Sequence, residues 1–316
     1  MVKTLRSAQE PCGSAVDQVL KSYLEHICGA NNVRENEPMS KHTTFKIGGS
    51  ARFFITVQSK ETLLKLVSAL NYIEYPYRVI GGGSNLLVSD NGYDGVLIKP
   101  AFREIVENGN FVYADAGASL ASLVKFARDR NLSGLEFAAG IPGTVGGAIF
   151  MNAGAHGGAI SDTVTMIDVL KTSPSSRGGG SRKAADGVVS LDASTCKFSY
   201  RTSAFQRKRD WIILGAYFFL DNRPLVEIPS RTNQPKEPNA GSVFRNPSIA
   251  SAGKLIDDLG LKGLTIGGAA ISDRHANFII NKGFATARDV RALVRLVKTK
   301  VRIAYGINLK TEIEFL

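Results

Sequence analysis

Two segments dense in glycine constrain this chain more than any other feature of its sequence. One reads GGGSNLLVSDNG over residues 81–92, and the other reads GIPGTVGGAIFMNAGAHGG over residues 140–158. Because glycine has no Cβ, backbone N–H groups in such loops can converge on a phosphate, and the resulting nests attract anions. An isolated glycine would indicate only a tight turn. Two dense loops bordered by strand patterns favour a cradle for the pyrophosphate of a large dinucleotide.

The side chains and glycines of these loops are the candidate cofactor contacts. We assign to the cofactor Gly81, Gly82, Gly83, Ser84 and Asn85 of the first loop, and Pro142, Gly143, Thr144, Gly146, Gly147, Asn152 and Gly154 of the second. Ser84, Asn85 and Thr144 add side-chain donors to the backbone N–H groups.

Two common nucleotide motifs do not fit this chain. Leu86 stands at the third glycine position of GxGxxG, and no helical pattern follows it. After Gly253 and Lys254, Leu255 stands where a P-loop has the Ser or Thr that binds Mg²⁺. The sequence therefore supports neither a Rossmann dehydrogenase nor a P-loop ATPase.

Composition bounds the class of protein. A chain of 316 residues with 44% hydrophobic content can fill one large domain or two to three ordinary ones, which excludes a disordered or fibrous protein. With 39 Lys and Arg against 28 Asp and Glu, the net charge of +11 suits an anionic partner.

Cysteine usage and hydropathy predict the compartment. Cys12, Cys28 and Cys196 are scattered, so they form neither a disulfide framework nor a metal site, and a reducing cytoplasm fits best. The uncharged stretch 137–161 contains seven glycines, which argues against a membrane helix. We expect a cytoplasmic protein with no membrane insertion and no bound metal.

Strand and helix patterns alternate in the first 222 residues. An amphipathic helix is predicted from Val16, Val19, Leu20, Tyr23 and Leu24, ending near Gly29. Further predictions are a strand at 51–59 followed by a helix, a strand at 77–80, a strand at 112–117 before a helix capped by Ser119, a mobile hairpin tip at 171–187, and a fully buried strand at 211–220.

A third segment begins near residue 222, where charged and proline-containing sequence marks a boundary. It contains the helix SAGKLIDDLG, the strand HANFIIN and a long helix opened by Thr286 with Asp289 at the capping-box position. The apolar stripe of the long helix is predicted to be Val290, Leu293, Val294, Val297 and Val301. We expect it to end near Gly306 and to be followed by a strand in INLKTEIEFL.

Several motifs occur together in one order along the chain. They are TTFKIGG, GGGSNLLVSDNGYDGVLI, GLEFAAGIPGTVGGAIFMNAGA, FSYRTSAF, PNAGSVFRNP, AGKLIDDLGLKG, HANFIIN and GINLKTEIEF. On these motifs the chain resembles the UDP-N-acetylenolpyruvoylglucosamine reductase (UDP-N-acetylmuramate dehydrogenase) family. The resemblance runs from Thr43 to the end, and it leaves out the first forty residues and the 171–187 loop. His156 departs from the pattern, since relatives often have tyrosine there.

The resemblance implies an α+β fold. It implies an N-terminal helical extension at 1–45, a two-lobed FAD-binding region of the vanillyl-alcohol-oxidase (PCMH) type at 46–222, a C-terminal α/β substrate domain at 223–304, and a last strand at 305–316 that returns to the FAD-binding region. The implied reaction is NADPH-dependent, FAD-mediated reduction of UDP-N-acetylglucosamine enolpyruvate to UDP-N-acetylmuramate in peptidoglycan precursor synthesis. The implied partners are the UDP-sugar and NADPH, with no nucleic acid and no obligate protein partner.

The resemblance also implies three catalytic residues. Hydride addition to a carboxylate-bearing alkene leaves negative charge beside the carboxylate, so the site needs donors and an acid. Arg201 matches the family arginine for the enolate oxygens, Ser242 matches the proton donor, and Glu312 matches the C-terminal glutamate. Glu314 would share a strand face with Glu312, and the family spacing after Gly306 selects Glu312.

Substrate contacts are predicted from charge and position. The candidates are Asn277, Arg231, Arg245 and Lys262, together with Lys236, and about half of such a list is ordinary surface charge. His275 is equally consistent with substrate contact and with a structural histidine.

Three other functions remain open at this point. Another flavoenzyme of the same cofactor fold, such as an alcohol or sugar oxidase, would share both glycine loops. A basic nucleic-acid-binding protein is supported only by the charge and the 171–187 loop, without any recognition motif. A non-catalytic nucleotide-sugar binder would purify without colour.

Overall fold

The computed structural model describes residues 15–172, 187–227 and 233–316. The chain divides into two compact units. Unit 1 comprises Met1–Glu37, Ala51–Gly81 and Asp94–Ile228, and unit 2 comprises Pro38–Ser50, Gly82–Tyr93 and Pro229–Leu316. The predicted domain boundaries at 46, 222 and 305 stay a prediction.

The helices and strands of the described residues are as follows. The helices are α1 (Ala15–Cys28), α2 (Lys60–Tyr72), α3 (Leu120–Asp129), α4 (Val145–Met151), α5 (Ala252–Asp258) and α6 (Ala287–Tyr305). The strands are β1 (Val33–Pro38), β2 (Ser50–Val57), β3 (Tyr77–Val79), β4 (Leu86–Leu87), β5 (Tyr93–Pro100), β6 (Ile105–Asn108), β7 (Phe111–Asp115), β8 (Gly154–Ala155), β9 (Gly158–Ala159), β10 (Val164–Lys171), β11 (Gly187–Asp192), β12 (Trp211–Phe219), β13 (Asn239–Ser242), β14 (Thr265–Ile266), β15 (Ala269–Ile271), β16 (Phe278–Asn281) and β17 (Glu314–Phe315).

Unit 1 is built on two larger sheets. Their strand orders are β1-β2-β5-β3 and β11-β10-β12-β7-β6, and β8 pairs with β9 in a short ribbon. Ser59 caps α2 and Ser119 caps α3, each through a serine side chain that accepts a backbone N–H. The buried apolar faces of α2 and α3 join those of the strands in one core. The predicted alternation of strand and helix is confirmed in this unit.

Unit 2 combines a four-stranded sheet with α5 and α6. The sheet order is β13-β16-β15-β14, and β17 pairs with β4 in parallel. Thr286 and Asp289 form the predicted capping box of α6, and Gly306 ends the helix in the left-handed conformation. All five predicted stripe residues of α6 are buried, so the prediction for this helix is confirmed.

Three predictions about exposure or extent were wrong. In α1, Val19 is 71% exposed and Tyr23 is 45% exposed, because the buried face runs through Leu20, Leu24 and Cys28. Strand β12 is not fully buried, since Tyr217 and Phe219 alternate outward at its end. The last strand covers only Glu314–Phe315 of the predicted INLKTEIEFL.

The hairpin predicted around residue 180 is partly described. Strands β10 and β11 pair antiparallel, and Lys171 lies opposite Gly187. Of the mobile tip predicted at 171–187, residues 173–186 lie outside the described residues. Among the helices that the structure describes, none is both long enough and apolar enough to cross a membrane.

Candidate active site

The second glycine loop leads into α4 in unit 1. Thr144 is the N-cap of this helix, and its side-chain oxygen accepts the Gly147 N–H at 3.3 Å. The carbonyl of Gly143 accepts the Leu120 N–H at 3.0 Å, and the Val145 N–H donates to Ala118 at 2.9 Å. The loop, with Pro142 beside Gly143, is therefore fixed against the start of α3 by backbone hydrogen bonds.

Gly147 is not explained by packing within the protein. It lies in α4, where glycine costs about 1 kcal/mol relative to alanine. A Cβ at Gly147 would meet only Thr144 Oγ1, at an ordinary contact distance of 3.4 Å. Close approach of a ligand to this backbone gives a physical reason for the glycine, so the loop fits a bound phosphate group.

Gly81 lies next to this loop within unit 1. A Cβ at Gly81 would lie 2.5 Å from Thr144 Oγ1 and 3.8 Å from the Gly147 backbone. The structure thus brings together one residue from each glycine loop that the sequence had assigned to the cofactor.

Gly146 has a different reason to be glycine. A Cβ there would lie 2.9 Å from the Cβ of Ala116, and the Gly146 N–H already donates to the Ala116 carbonyl at 2.9 Å. The residue allows α4 to pack closely against the chain that follows β7. Its N–H is engaged within the protein, and a substitution there would disturb packing directly.

The segment that carries Arg201 is held against α4. Ser203 Oγ donates to the Phe150 carbonyl at 2.6 Å, and Gln206 Nε2 donates to the Arg201 carbonyl at 3.0 Å. Arg201 Nη2 donates to the Gly154 carbonyl at 2.6 Å. Arg201 itself has a positive φ of 54° and is half-buried, which is an uncommon conformation for a non-glycine residue. Such a constrained arginine is consistent with a functional position.

Asn152 ties the end of α4 to the same segment. Its Nδ2 donates to the Ser199 carbonyl at 3.0 Å, and its Oδ1 accepts the Ser161 N–H at 3.0 Å. The side chain is 3% exposed. Both ends of the amide therefore bond within the protein, and we assign Asn152 to positioning of the Arg201 segment.

Ser242 and Glu312 lie on neighbouring stretches of chain in unit 2. Ser242 ends β13, and the next residue, Val243, accepts the Glu312 N–H at 2.8 Å. Phe244 and Thr311 form an antiparallel bridge, and the Arg245 N–H donates to the Lys310 carbonyl at 2.9 Å. Both Ser242 and Glu312 are half-buried. The predicted proton donor and the predicted glutamate thus belong to two stretches of chain that are joined by backbone hydrogen bonds.

Asn277 fixes the backbone that follows Ser242. Its Oδ1 accepts the Phe244 N–H at 2.9 Å, its Nδ2 donates to the Phe244 carbonyl at 2.8 Å, and its own carbonyl accepts the Val243 N–H at 2.8 Å. The side chain is 3% exposed. The amide predicted to contact substrate is engaged by the protein, so we assign Asn277 a positioning role.

Asn85 fixes the backbone around Glu312. Its Nδ2 donates to the Glu312 carbonyl at 3.0 Å, and its own carbonyl accepts the Glu314 N–H at 2.9 Å. Gly83, in the same loop as Gly82 and Ser84, accepts the Thr44 N–H at 3.2 Å. The first glycine loop therefore supports the backbone from Glu312 to Glu314, a role that the sequence did not indicate.

The remaining polar candidates all belong to unit 2. Burial lowers the pKa of His275, and the charge of Lys262 acts in the same direction. Neutral His275 accepts the Asn277 N–H at its Nδ1, at 3.2 Å. Lys262 forms an ion pair with Asp257 at 2.7 Å, and Lys236 is exposed. Arg231 lies outside the described residues.

Comparison with known proteins decides the family. Residues 234–316 match the family described as UDP-N-acetylenolpyruvoylglucosamine reductase, C-terminal domain, and residues 51–173 match an FAD binding domain. A UDP-N-acetylenolpyruvoylglucosamine reductase of Caldanaerobacter subterraneus is 39% identical over 94% of this chain and 98% of its own length. One from Anoxybacillus flavithermus is 41% identical over 93% and 98% of the respective chains. The chain belongs to the UDP-N-acetylenolpyruvoylglucosamine reductase family.

A solved structure supports the same assignment. The crystal structure of UDP-N-acetylenolpyruvylglucosamine reductase from Thermus caldophilus matches with a TM-score of 0.74 and 34% identity, covering 90% of this chain and 99% of that one. Membership in the reductase family and the FAD domain match confirm the predicted α+β, FAD-binding fold. They also confirm that the chain is an FAD-dependent oxidoreductase.

Proposed function

We propose that this reductase-family member reduces UDP-N-acetylglucosamine enolpyruvate to UDP-N-acetylmuramate with NADPH, as a step in peptidoglycan precursor synthesis. The observation that carries the proposal is the backbone hydrogen bond from the Glu312 N–H to the carbonyl of Val243, the residue after Ser242, at 2.8 Å. These backbone bonds bring the stretch of chain at Ser242 beside the stretch at Glu312. A hydroxyl and a carboxyl residue on adjacent stretches of chain suit the protonation half of such a reduction. The names and coverage of the relatives support the choice of substrate.

The cofactor is FAD, and the Thr144 loop is proposed to hold its phosphate groups. A Cβ at Gly147 would meet no close neighbour there, Gly81 packs against Thr144, and Thr144 keeps the turn in place. When bound, FAD supplies the hydride chemistry, taking a hydride from NADPH and delivering one to the CH₂ carbon of the enolpyruvyl group.

Ser242 is proposed to deliver the proton to the carbon beside the carboxylate. A serine hydroxyl is a weak acid, so it serves only where the carbanion is strongly basic and the resulting alkoxide is stabilised. The hydrogen bonds of Val243 and Phe244 to Asn277 fix the backbone that follows Ser242. A fixed hydroxyl direction lowers the cost of orientation in the transition state.

Glu312 and Arg201 are proposed to stabilise the enolate charge. Glu312 acts as a protonated or proton-sharing carboxyl group, which can donate a hydrogen bond to the enolate oxygens. An ionised carboxylate has no proton to donate. Arg201 offers a permanently charged, planar donor group that suits the two oxygens of a carboxylate. Asn85 holds the carbonyl of Glu312, and Gly154 accepts one donor of Arg201.

A two-step spectroscopic experiment tests the proposed function. Purified protein should show flavin absorption that NADPH bleaches without oxygen, and added UDP-N-acetylglucosamine enolpyruvate should restore it with formation of UDP-N-acetylmuramate. Bleaching by an alcohol or a free sugar instead of NADPH would favour an oxidase. Colourless protein that binds the nucleotide sugar would favour a non-catalytic binder. Either result would reject the proposed reaction.

A further inference from the structure

Helix α6 carries a continuous row of basic side chains. The row consists of Arg288, Arg291, Arg295, Lys298 and Arg302, which alternate in spacing between three and four residues. Residues three and four apart are neighbours on a helix surface, and at 1.5 Å per residue the row is about 21 Å long. Arg288, Arg295 and Arg302 are exposed, and the other two are half-buried. We call these five residues the basic row.

The acidic residues nearest the basic row, Asp289 and Asp90, accept backbone N–H groups and form no ion pair with its side chains among the described residues. The only acidic residue of α6 is Asp289, whose carboxylate accepts the N–H groups of Thr286 and Gly268. Within the part of the chain that the structure describes, no side chain of the basic row forms an ion pair. By contrast, Lys65 and Lys125 on other helices each pair with an acid one turn away.

A groove of about 230 Å³ lies at the first turns of the row. It is lined by Ser89, Asp90, Asn91, Ala287, Arg288, Arg291 and Arg295. The Asp90 carboxylate accepts the Ala287 and Arg288 N–H groups at 2.7 and 2.9 Å, so its charge is engaged by the helix. The Arg291 guanidinium lies 4.7 Å from the centre of the Phe315 ring. Three arginines around a groove of this size can surround a phosphate group.

We propose that the basic row docks this protein on a membrane surface rich in anionic phospholipids, with a lipid phosphate in the groove. The row is straight and largely exposed, which suits a planar array of headgroups. The apolar face of α6 is buried in the core of unit 2, so the helix cannot insert into lipid. Attachment is therefore electrostatic and weakens with salt. This property goes beyond the proposed reaction and does not depend on it.

Other features of the surface favour lipid over nucleic acid. Helix α6 contains no Asn or Gln, which argues against base-specific recognition of a nucleic acid. The ring of Phe315 is covered by Arg291 and is not a free stacking platform. Phe284, two residues before the helix cap, is 72% exposed, and aromatic side chains are enriched at membrane interfaces.

Vesicle cosedimentation of the full-length, FAD-loaded protein tests the proposal. Vesicles of phosphatidylglycerol and phosphatidylcholine in equal parts should bind it at low salt, and pure phosphatidylcholine vesicles should not. The variant Arg288→Gln/Arg295→Gln/Arg302→Gln should bind the anionic vesicles on the order of 100-fold more weakly. Each lost basic charge is expected to weaken the affinity by roughly fivefold. The control Lys65→Gln/Lys125→Gln/Arg130→Gln loses the same charge at ion-paired positions and should keep most of the affinity.

Several outcomes would overturn the docking role. Absence of binding to the anionic vesicles rejects it, as does equal loss of affinity in the two triple variants. Displacement from the vesicles by millimolar inorganic phosphate would identify the groove as a site for a free anion. Tighter binding of a short DNA duplex than of the anionic vesicles would identify a nucleic-acid surface. Thermal unfolding and flavin content of each variant verify that the proteins compared are folded.

Discussion

The side-chain amide of Asn277 pairs with both backbone groups of Phe244, at 2.9 and 2.8 Å, two residues beyond Ser242. The amide replaces the hydrogen bonds that a neighbouring β-strand would make, because it supplies one donor and one acceptor to the buried backbone. The same stretch of chain receives the Glu312 N–H at Val243. One buried asparagine therefore supports the stretch of chain that follows the proposed proton donor and that hydrogen-bonds to the backbone of the proposed glutamate.

The substitution Asn277→Leu should destabilise unit 2. A leucine side chain would leave the Phe244 N–H and carbonyl buried without partners, at a cost of about 2–4 kcal/mol in the free energy of unfolding. The control Asn108→Leu changes an exposed asparagine in β6 and should cost less than about 0.5 kcal/mol. Denaturant titration of both variants is the measurement. Equal stabilities would mean that the amide pairing contributes nothing.

Alanine substitution at the two neighbouring glycines of α4 should have opposite effects on the stability of the apoprotein. Gly147→Ala meets no close neighbour, so the apoprotein should keep or gain stability through better helix propensity, while FAD binds at least about tenfold more weakly. Gly146→Ala brings its Cβ against Ala116 and should lower the melting temperature of the apoprotein. Calorimetry and flavin titration separate the effects. Unchanged FAD affinity in Gly147→Ala would exclude phosphate approach at this residue.

Arg201→Lys should impair substrate binding and turnover together. Lysine keeps the charge but lacks the planar donor group that can grip two carboxylate oxygens while contacting Gly154. We expect a higher KM for the enolpyruvyl sugar and a lower kcat, with NADPH reduction of the flavin unaffected. Steady-state kinetics with the sugar varied, beside anaerobic flavin reduction, measures both. A variant with normal KM and kcat would remove Arg201 from the site.

The two C-terminal glutamates should differ in importance. Glu312→Gln keeps side-chain length but cannot share an acidic proton, so reoxidation of the reduced flavin by substrate should slow on the order of 10²-fold. Glu314→Gln should have little effect, because the family spacing after Gly306 selects Glu312 and not Glu314. Rapid-mixing absorbance of both reduced variants is the assay. A normal Glu312→Gln beside an impaired Glu314→Gln would show that the assignment is displaced by two residues.

Local chemistry made much of the fold predictable. The start of α6 follows from Thr286 and Asp289, and its end follows from Gly306, because a cap is decided by residues within one turn. Exposure was harder to predict. Val19 and Tyr23 fit a helical apolar face in α1, yet Leu20 and Leu24 face the core, and a sequence with apolar residues on both sides does not specify which side packs.

The candidate site could be predicted only in part. The residues proposed for chemistry stand in recognisable motifs, but the supporting amides act over long sequence separations. Asn277 bonds a residue 33 positions away, and Asn85 bonds one 227 positions away. The sequence alone therefore assigns Asn85, Asn152 and Asn277 to ligands, and their ligand contacts stay a prediction. Nothing in the local sequence reveals which distant backbone an amide will meet.

The most direct test of the central claim is reoxidation of NADPH-reduced Ser242→Ala by the enolpyruvyl sugar, followed by absorbance without oxygen. NADPH reduction of the flavin should proceed at the parent rate, because it requires no proton from Ser242. Reoxidation should fall by ~10²–10⁴, the range typical of a lost general acid. Reoxidation of the variant at the parent rate would contradict the account, since the proton would then come from another group.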